Sequence, residues 1–264
     1  MRRIFLAAST ALFLQPIAAI AAPASAIDQA VASPKRSEAN RARDKYRHPA
    51  QTLTFFGVKP GSTVVEIYPS GGWYMEILAP MLRDKGTYYA ATQPPGKYRD
   101  VTLQLVQSDP GRFDKVKLTT FELDKPSEIA PPGTADFVLT FRNVHNMLMA
   151  GEDKAAQAFA DFYKALKPGG VLGIEDHRLP ENADAAREKS SGYLKQSTVI
   201  RLAKAAGFKL AGESEVNANP KDTADWPDGV WTLPPVLRFG DKDRDRYLAI
   251  GESDRMTLKF VKPK

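Results

Sequence analysis

Short apolar runs of strand length alternate with helical patterns along most of this chain. The predicted strands cover residues 62–67, 86–91, 115–121, 135–141, 171–174, 209–216 and 256–261. Between them, apolar residues recur three or four positions apart, as in a helix, at 73–82, 100–107, 153–167 and 198–206. Strands that alternate with helices in this way form parallel sheets with right-handed crossovers. The pattern predicts an α/β fold with a doubly wound sheet.

Polar side chains appear where several predicted strands end. Glu66 closes the first strand, Arg142, Asn143 and His145 follow the fourth, and Asp176 and His177 follow the fifth. The carboxyl ends of parallel strands meet at one edge of the sheet, and open α/β sheets bind their ligands at that edge. We therefore expect these side chains to surround a ligand.

The first strand runs into the turn Tyr68-Pro69-Ser70-Gly71-Gly72, after which a helix is predicted. The two glycines allow the backbone to approach a ligand closely, and Glu66 can accept hydrogen bonds from a polar ligand group. Read alone, the same residues also fit a strand, a turn and a helix that bind nothing.

Composition removes several classes of function. The chain has 264 residues and no Cys, so disulfides, zinc–thiolate sites and thiol nucleophiles are excluded. The formal charge of +6 includes Arg2 and Arg3, and without them it falls to about +4. This excess is too weak to indicate nucleic acid, and we expect a small-molecule partner instead. The oligomeric state is left open.

The N-terminus has the pattern of an export signal. Two arginines precede an apolar run, and Ala24-Ser25-Ala26 resembles a cleavage site, so residues 1–26 are predicted to be a signal peptide. Its polar residues argue against a stable membrane anchor. The twin arginines also resemble the export motif for folded proteins. We expect a periplasmic or secreted protein.

Three segments follow the predicted signal. Residues 27–44 are polar and rich in alanine, which predicts a flexible linker without a role in function. Residues 45–264 form the predicted domain. Within it, residues 217–254 are an insert before the last strand that is too long for a hairpin, and we interpret it as a lid or a loop on the substrate side.

Four segments together resemble the class I S-adenosylmethionine-dependent methyltransferases, and within them a group of exported bacterial proteins. They are 64–73, 136–145, 166–177 and 254–260, and the Leu-Lys-Pro-Gly-Gly turn at 166–170 is the most specific of the signals. The resemblance implies a Rossmann-like seven-stranded sheet, mostly parallel, whose last strand is antiparallel. It also implies S-adenosylmethionine as cofactor and an unidentified, small methyl acceptor.

The resemblance assigns residues to the cofactor. Around its methionine part it places Glu66, Tyr68, Ser70, Gly71 and Gly72, with Arg142 and Asn143 beside them. Two departures stand out. Tyr68 and Ser70 occupy places where the family has glycine, and Thr92 or Gln93 stands where the family has a ribose-binding carboxylate.

His145, Asp176 and His177 are the candidate catalytic bases for removing a proton from the acceptor. Asp176 and His177 cannot be read as a pair from sequence, because neighbours in an extended strand point to opposite sides. Two alternatives remain. His145 and His177 with Asp176 or Glu175 could bind a divalent metal, although we assign no metal ligands. The fold could also serve as an exported ligand-binding protein without catalysis.

Overall fold

A single mixed sheet of eight strands runs through the molecule. The computed structural model describes residues 24–264, so the predicted signal, 1–26, lies outside the described residues apart from its last three positions. The strands are β1 (Thr63–Ile67), β2 (Thr87–Thr92), β3 (Lys117–Thr120), β4 (Ala135–Phe141), β5 (Leu166–Leu179), β6 (Leu194–Lys195), β7 (Lys209–Ser214) and β8 (Arg255–Val261).

The strand order is β3-β2-β1-β4-β5-β8-β7, and the two-residue β6 pairs with the end of β5. β1 lies parallel to both β2 and β4. The strand order therefore reverses at β1, with β2 and β3 on one side of it and β4 and β5 on the other. The last strand, β8, is antiparallel to both of its neighbours. The predicted fold class is confirmed, with one short strand more than the expected seven.

Helices cover both faces of the sheet. They are α1 (Ala26–Val31), α2 (Glu38–Arg41), α3 (Asp44–Arg47), α4 (Pro49–Phe56), α5 (Met75–Leu82), α6 (Lys97–Ser108), α7 (Pro110–Phe113), α8 (Val144–Ala150), α9 (Glu152–Ala165), α10 (Gln196–Ala205) and α11 (Arg244–Ile250). Within residues 24–264, none of these helices combines the length and the apolar character needed to cross a bilayer.

Alternate side chains of β1 point into two separate apolar cores, as the pleat of a strand requires. Val65 and Ile67 pack with α8, α9 and α10, whereas Val64 packs with α1, α4 and α5. Because both faces of the strand are buried, its two ends remain as the places where polar groups reach solvent. This positions the carboxyl end of β1 as the floor of a site.

The structure places residues 27–44 in helices packed on the domain, where the sequence predicted a flexible linker. The buried Glu76 carboxylate of α5 accepts hydrogen bonds from the Ser37 backbone at 3.0 Å and from Asn40 Nδ2 at 3.1 Å. Trp73 Nε1 donates to the Asn40 carbonyl at 2.9 Å. The polar composition of this segment suggested that it is solvated. In the structure, its polar groups bind specific buried partners instead.

The 217–254 insert has its own small core, built around one buried carboxylate. Asp222 accepts hydrogen bonds from Tyr193 Oη at 3.0 Å, Trp226 Nε1 at 2.7 Å and the Asp254 backbone at 2.7 Å. Burial raises the pKa of Asp222, although these donors oppose the shift. The insert is therefore a packed cap with defined internal contacts.

We expect Asp222→Ala to destabilise the protein by about 1–3 kcal/mol, because several buried donors lose their acceptor. Urea unfolding followed by tryptophan fluorescence measures this loss. Asp241→Ala provides the control, because Asp241 is exposed in the same insert. Equal stability of the two variants would show that Asp222 does not hold the cap together.

Candidate functional site

A cavity of about 360 Å³ lies at the carboxyl ends of β1 and β4. This volume falls within the range of small-ligand pockets. Its walls come from the turn after β1, the segment after β4, the N-terminal helices and the insert. The principal lining residues are Asn40, Arg43, Arg47, Glu66, Tyr68, Ser70, Gly71, Trp73, Arg142, Asn143, His145, His177, Trp231, Pro234, Pro235, Glu252 and Ser253.

The turn after β1 has the backbone of a glycine-rich turn. Tyr68, Ser70 and Gly72 have φ angles of 50°, 50° and 78°, all in the left-handed region. These are the three places where the resemblance expects glycine. A side chain in this region costs roughly 1–2 kcal/mol per residue, so two of the three positions are strained. Tyr68 and Ser70 therefore adopt a backbone conformation that glycine takes more easily.

The two glycines of this turn have different surroundings. A Cβ atom on Gly71 would meet nothing within 4 Å, and Gly71 lines the cavity. A Cβ atom on Gly72 would lie 2.0 Å from Leu105 Cδ2 of α6. Gly72 thus allows close helix packing behind the turn, and Gly71 leaves open space at the cavity wall.

Tyr68 reaches sideways from the turn toward β3. Its hydroxyl donates to the Phe121 carbonyl at 3.2 Å, and its ring centroid lies 5.2 Å from that of Phe121. Burial, with Glu122 and Asp124 nearby, raises the pKa of Tyr68 to about 12. The phenol is therefore neutral at physiological pH.

Glu66 is a buried carboxyl group at the floor of the cavity. It accepts a hydrogen bond of 2.6 Å from Tyr88 Oη of β2. Burial raises the pKa of Glu66 to about 8, even though the Tyr88 hydrogen bond favours the ionised form. Glu66 is thus mostly protonated at pH 7 in the protein without ligand.

Two predicted cofactor residues follow β4 and line the cavity. Asn143 Nδ2 donates to the carbonyls of Ile67 at 3.0 Å and Phe141 at 3.2 Å, so it ties the ends of β1 and β4 together. Arg142 has a left-handed φ of 60°, and its backbone N–H donates to the Glu175 carbonyl at 2.7 Å. The Arg142 side chain lines the cavity.

At the end of β2 the structure distinguishes the two residues considered for the ribose. Thr92 is fully buried, and its hydroxyl donates to the Thr119 carbonyl at 3.0 Å. Neither Thr92 nor Gln93 is among the residues that line the cavity. Gln93 Oε1 is buried without a hydrogen-bond partner, which leaves an acceptor free at this position.

The three candidate bases lie close together. The hydrogen-bonded pair is His145, which follows β4, with Asp176 of β5. His145 lies in the first turn of α8, and its Nδ1 is 2.7 Å from Asp176 Oδ1 of β5. The Asp176 carboxylate also accepts the backbone N–H groups of His145 at 3.2 Å and His177 at 2.8 Å. An ionised carboxylate only accepts, so we assign the proton to His145 Nδ1, and Nε2 is then the basic nitrogen.

His177 has a different environment. Its Nδ1 lies 2.5 Å from Ser253 Oγ, and its ring centroid is 5.1 Å from that of His145. Burial lowers the pKa of His177 well below its usual value, and His145 and Arg142 lower it further. His177 is accordingly neutral at physiological pH. The structure also extends β5 through Asp176 and His177, which the sequence had placed after the strand, because β8 pairs with both.

His145, Asp176 and His177 bring potential metal-ligand atoms within 4.8 Å of one another. The local charge opposes a cation, however, because Arg142, Arg255 and Arg47 all act on His177. The Asp176 carboxylate already accepts three N–H groups. The arrangement fits a hydrogen-bonded base better than a metal site.

Arginines that the sequence analysis did not single out form one wall of the cavity. Arg43 Nε donates to Glu252 Oε1 at 2.6 Å, and Arg47 Nε donates to Glu252 Oε2 at 3.0 Å. Arg255 Nη1 lies 3.3 Å from the same carboxylate. Burial raises the pKa of Glu252, but the arginines outweigh it and bring the pKa to about 2. No local pattern reveals this cluster, since Arg43 and Arg47 lie 209 and 205 positions from Glu252.

No protein-family model and no curated protein matches the sequence. Among solved structures, the chain is similar to a S-adenosylmethionine-dependent methyltransferase from Aquifex aeolicus, with 16% identity and a TM-score of 0.56 over 84% of this chain and 93% of that one. It is also similar to an arsenic(III) S-adenosylmethionine methyltransferase from Chlamydomonas reinhardtii, with 14% identity and a TM-score of 0.53 over 92% and 75% of the two chains.

A [4+2]-cyclase shares the fold as well, with 15% identity and a TM-score of 0.55 over 88% of this chain and 84% of that one. At such identities the similarity establishes the fold, a Rossmann-like methyltransferase fold. The reaction must be argued from the site, because one fold hosts different reactions.

The pKa of Glu66 gives a pH prediction. The pKa of Glu66 in the folded protein, about 8, lies above the ordinary glutamate value of 4.5, so the folded protein holds a proton that the unfolded chain releases between these values. This group's contribution to the free energy of unfolding should therefore fall as pH rises from about 5 to 8, by on the order of a few kcal/mol.

Glu66→Gln should remove that part of the pH dependence, because the amide keeps an acceptor for Tyr88 and does not titrate. Denaturant unfolding of both proteins at several pH values between 5 and 8 provides the comparison. Parallel stability curves for the two proteins would contradict the raised pKa.

Proposed function

We propose that this protein is a S-adenosylmethionine-dependent methyltransferase that acts on a small acceptor. The observation that carries the proposal is the turn after β1. It keeps left-handed backbone at all three expected glycine places, and it presents Gly71 to a cavity beside Glu66. Strained backbone of this kind concentrates at ligand sites. The signal peptide predicted at residues 1–26 makes a periplasmic or secreted location part of the same proposal.

The residues present fit the cofactor. Gly71 leaves room beside the turn, and the Glu66 carboxyl group can accept from the ammonium of the methionine part. A cation there also favours the ionised form of Glu66, whose pKa burial has raised. At the end of β2, the unpartnered Gln93 Oε1 offers an acceptor for a ribose hydroxyl. The Thr92 hydroxyl is fully buried and already donates to the Thr119 carbonyl, so it is the poorer candidate.

When bound, the sulfonium supplies a methyl group to a nucleophile. The chain's own contribution is to remove the nucleophile's proton: His145 Nε2 accepts it, while Asp176 holds Nδ1–H and stabilises the imidazolium that forms. Trp231, Pro234 and Pro235 of the insert line the cavity and give it apolar surface. A ligand-binding protein without catalysis would keep the cavity but would have no need of this buried pair.

The turn provides a direct test, with calorimetric titration of the purified protein with S-adenosylmethionine and S-adenosylhomocysteine. We expect both to bind. Gly71→Leu should weaken binding at least about tenfold, a change of 1.4 kcal/mol, because its side chain fills the open space at the cavity wall. Gly71→Ala is the matched control and should bind more tightly than the leucine variant.

Thermal unfolding of the two variants should match the wild type, since a Cβ at Gly71 meets no neighbour. Gly72 is a poorer probe, because any side chain there collides with Leu105 and disturbs packing. The absence of binding heat with either compound, together with a response to zinc, would contradict the methyltransferase proposal. Unchanged binding by Gly71→Leu would remove the cofactor from this turn.

A further inference from the structure

Three arginines from separate parts of the chain converge on the same cavity. Arg43 precedes α3, Arg47 ends α3, and Arg142 follows β4, and all three line the cavity. They lie on the wall next to His177 and Glu252. Such a concentration of guanidinium groups is typical of sites that bind carboxylate or phosphate groups, since their planar forks match the oxygens of these anions.

The cluster carries more positive than negative charge. With Arg255, four guanidinium groups act on one another, whereas the buried carboxylates at this site are Glu175, Glu252 and the Asp176 that pairs with His145. Glu66 does not offset the difference, because burial raises its pKa to about 8. Burial and the charge of Arg142 lower the pKa of Arg47 to about 10, which shows the repulsion within the cluster. A bound anion would relieve that repulsion.

The arginines also have hydrogen-bonding capacity that the protein leaves unused. Arg43 Nη2, Arg47 Nη2 and Arg142 Nε are buried without a hydrogen-bond partner. The Arg47 side chain is only 1% exposed, so solvent cannot readily supply acceptors to it. Unsatisfied buried donors are costly, and an oxyanion ligand would satisfy them.

Arg142 is the member best placed to meet a ligand. In the part of the chain that the structure describes, Arg43, Arg47 and Arg255 each form an ion pair, whereas Arg142 forms none. Its backbone is fixed by the hydrogen bond to Glu175 and by the left-handed φ of 60°. Arg142 thus lines the cavity from a fixed backbone, and none of the described carboxylates forms an ion pair with it.

We infer that the methyl acceptor carries a carboxylate or phosphate group, which Arg142, Arg43 and Arg47 hold while His145 removes the proton from its nucleophilic atom. This inference rests on the proposed function and names the class of its substrate. The cofactor's own carboxylate is a second source of the same chemistry, and the test must separate the two.

The test is a calorimetric titration of the purified protein with benzoate and with inorganic phosphate, first alone and then with S-adenosylhomocysteine at saturation. We expect at least one of these anions to bind in both conditions. Arg142→Gln should weaken anion binding at least about tenfold. Arg142→Lys should recover only part of the loss, because lysine keeps the charge but lacks the fork.

Arg83→Gln is the control and should bind the anion as the wild type does, because Arg83 pairs with Asp114 at 2.8 Å on the surface away from the cavity. If Arg142→Gln unfolds at lower temperature, Arg43→Gln, at the more exposed edge of the cluster, repeats the test. Two outcomes overturn the inference. Neither anion binds the wild type, or the anion and S-adenosylhomocysteine exclude each other, which would assign the arginines to the cofactor's carboxylate.

The failures of the two proposals are distinguishable. If the anion binds and S-adenosylhomocysteine does not, the cation-lined site stands and the methyltransferase proposal fails. If S-adenosylhomocysteine binds and no anion does, the methyltransferase proposal stands and the acceptor is not anionic.

Discussion

The buried Glu252 carboxylate holds the functional end of the molecule together. Arg43 and Arg47 bind it from the N-terminal helices, and Arg255 binds it from the start of β8. Removing one partner of a buried ion pair typically costs 3–5 kcal/mol, because the other charge is left uncompensated. This one group therefore joins the N-terminal helices, the insert and the last strand, and it lines the cavity.

The same charges set the chemistry of the site. Burial and the nearby arginines keep the His177 imidazole neutral, whereas Asp176 binds Nδ1 of His145 and fixes the orientation of its ring. Two histidines with rings 5.1 Å apart thereby acquire different roles. Positive potential also favours an anionic nucleophile once its proton has left. The arginines that form the structural ion pairs are therefore the same ones that take part in the proposed chemistry.

The fold alone leaves the reaction open, since methyltransferases and a cyclase share it with this chain. Two local features narrow the choice. The β1 turn retains left-handed backbone even where Tyr68 and Ser70 make it costly. The buried hydrogen-bonded pair of His145 and Asp176 lies across the cavity from that turn. Each feature lowers the stability of the fold, and a protein that used the fold only as a scaffold would have no need of either.

Apolar periodicity and turn residues are local signals, so the sequence was enough to predict seven of the eight strands, the main helices between them and the polar residues at the strand ends, although it missed β6 and the helices within 27–44. It also placed His145, Asp176 and His177 at one edge. Only the tertiary structure paired His145 with Asp176, separated Gln93 from Thr92, and brought Arg43 and Arg47 to Glu252. Those contacts join residues up to 209 positions apart, so no local pattern records them.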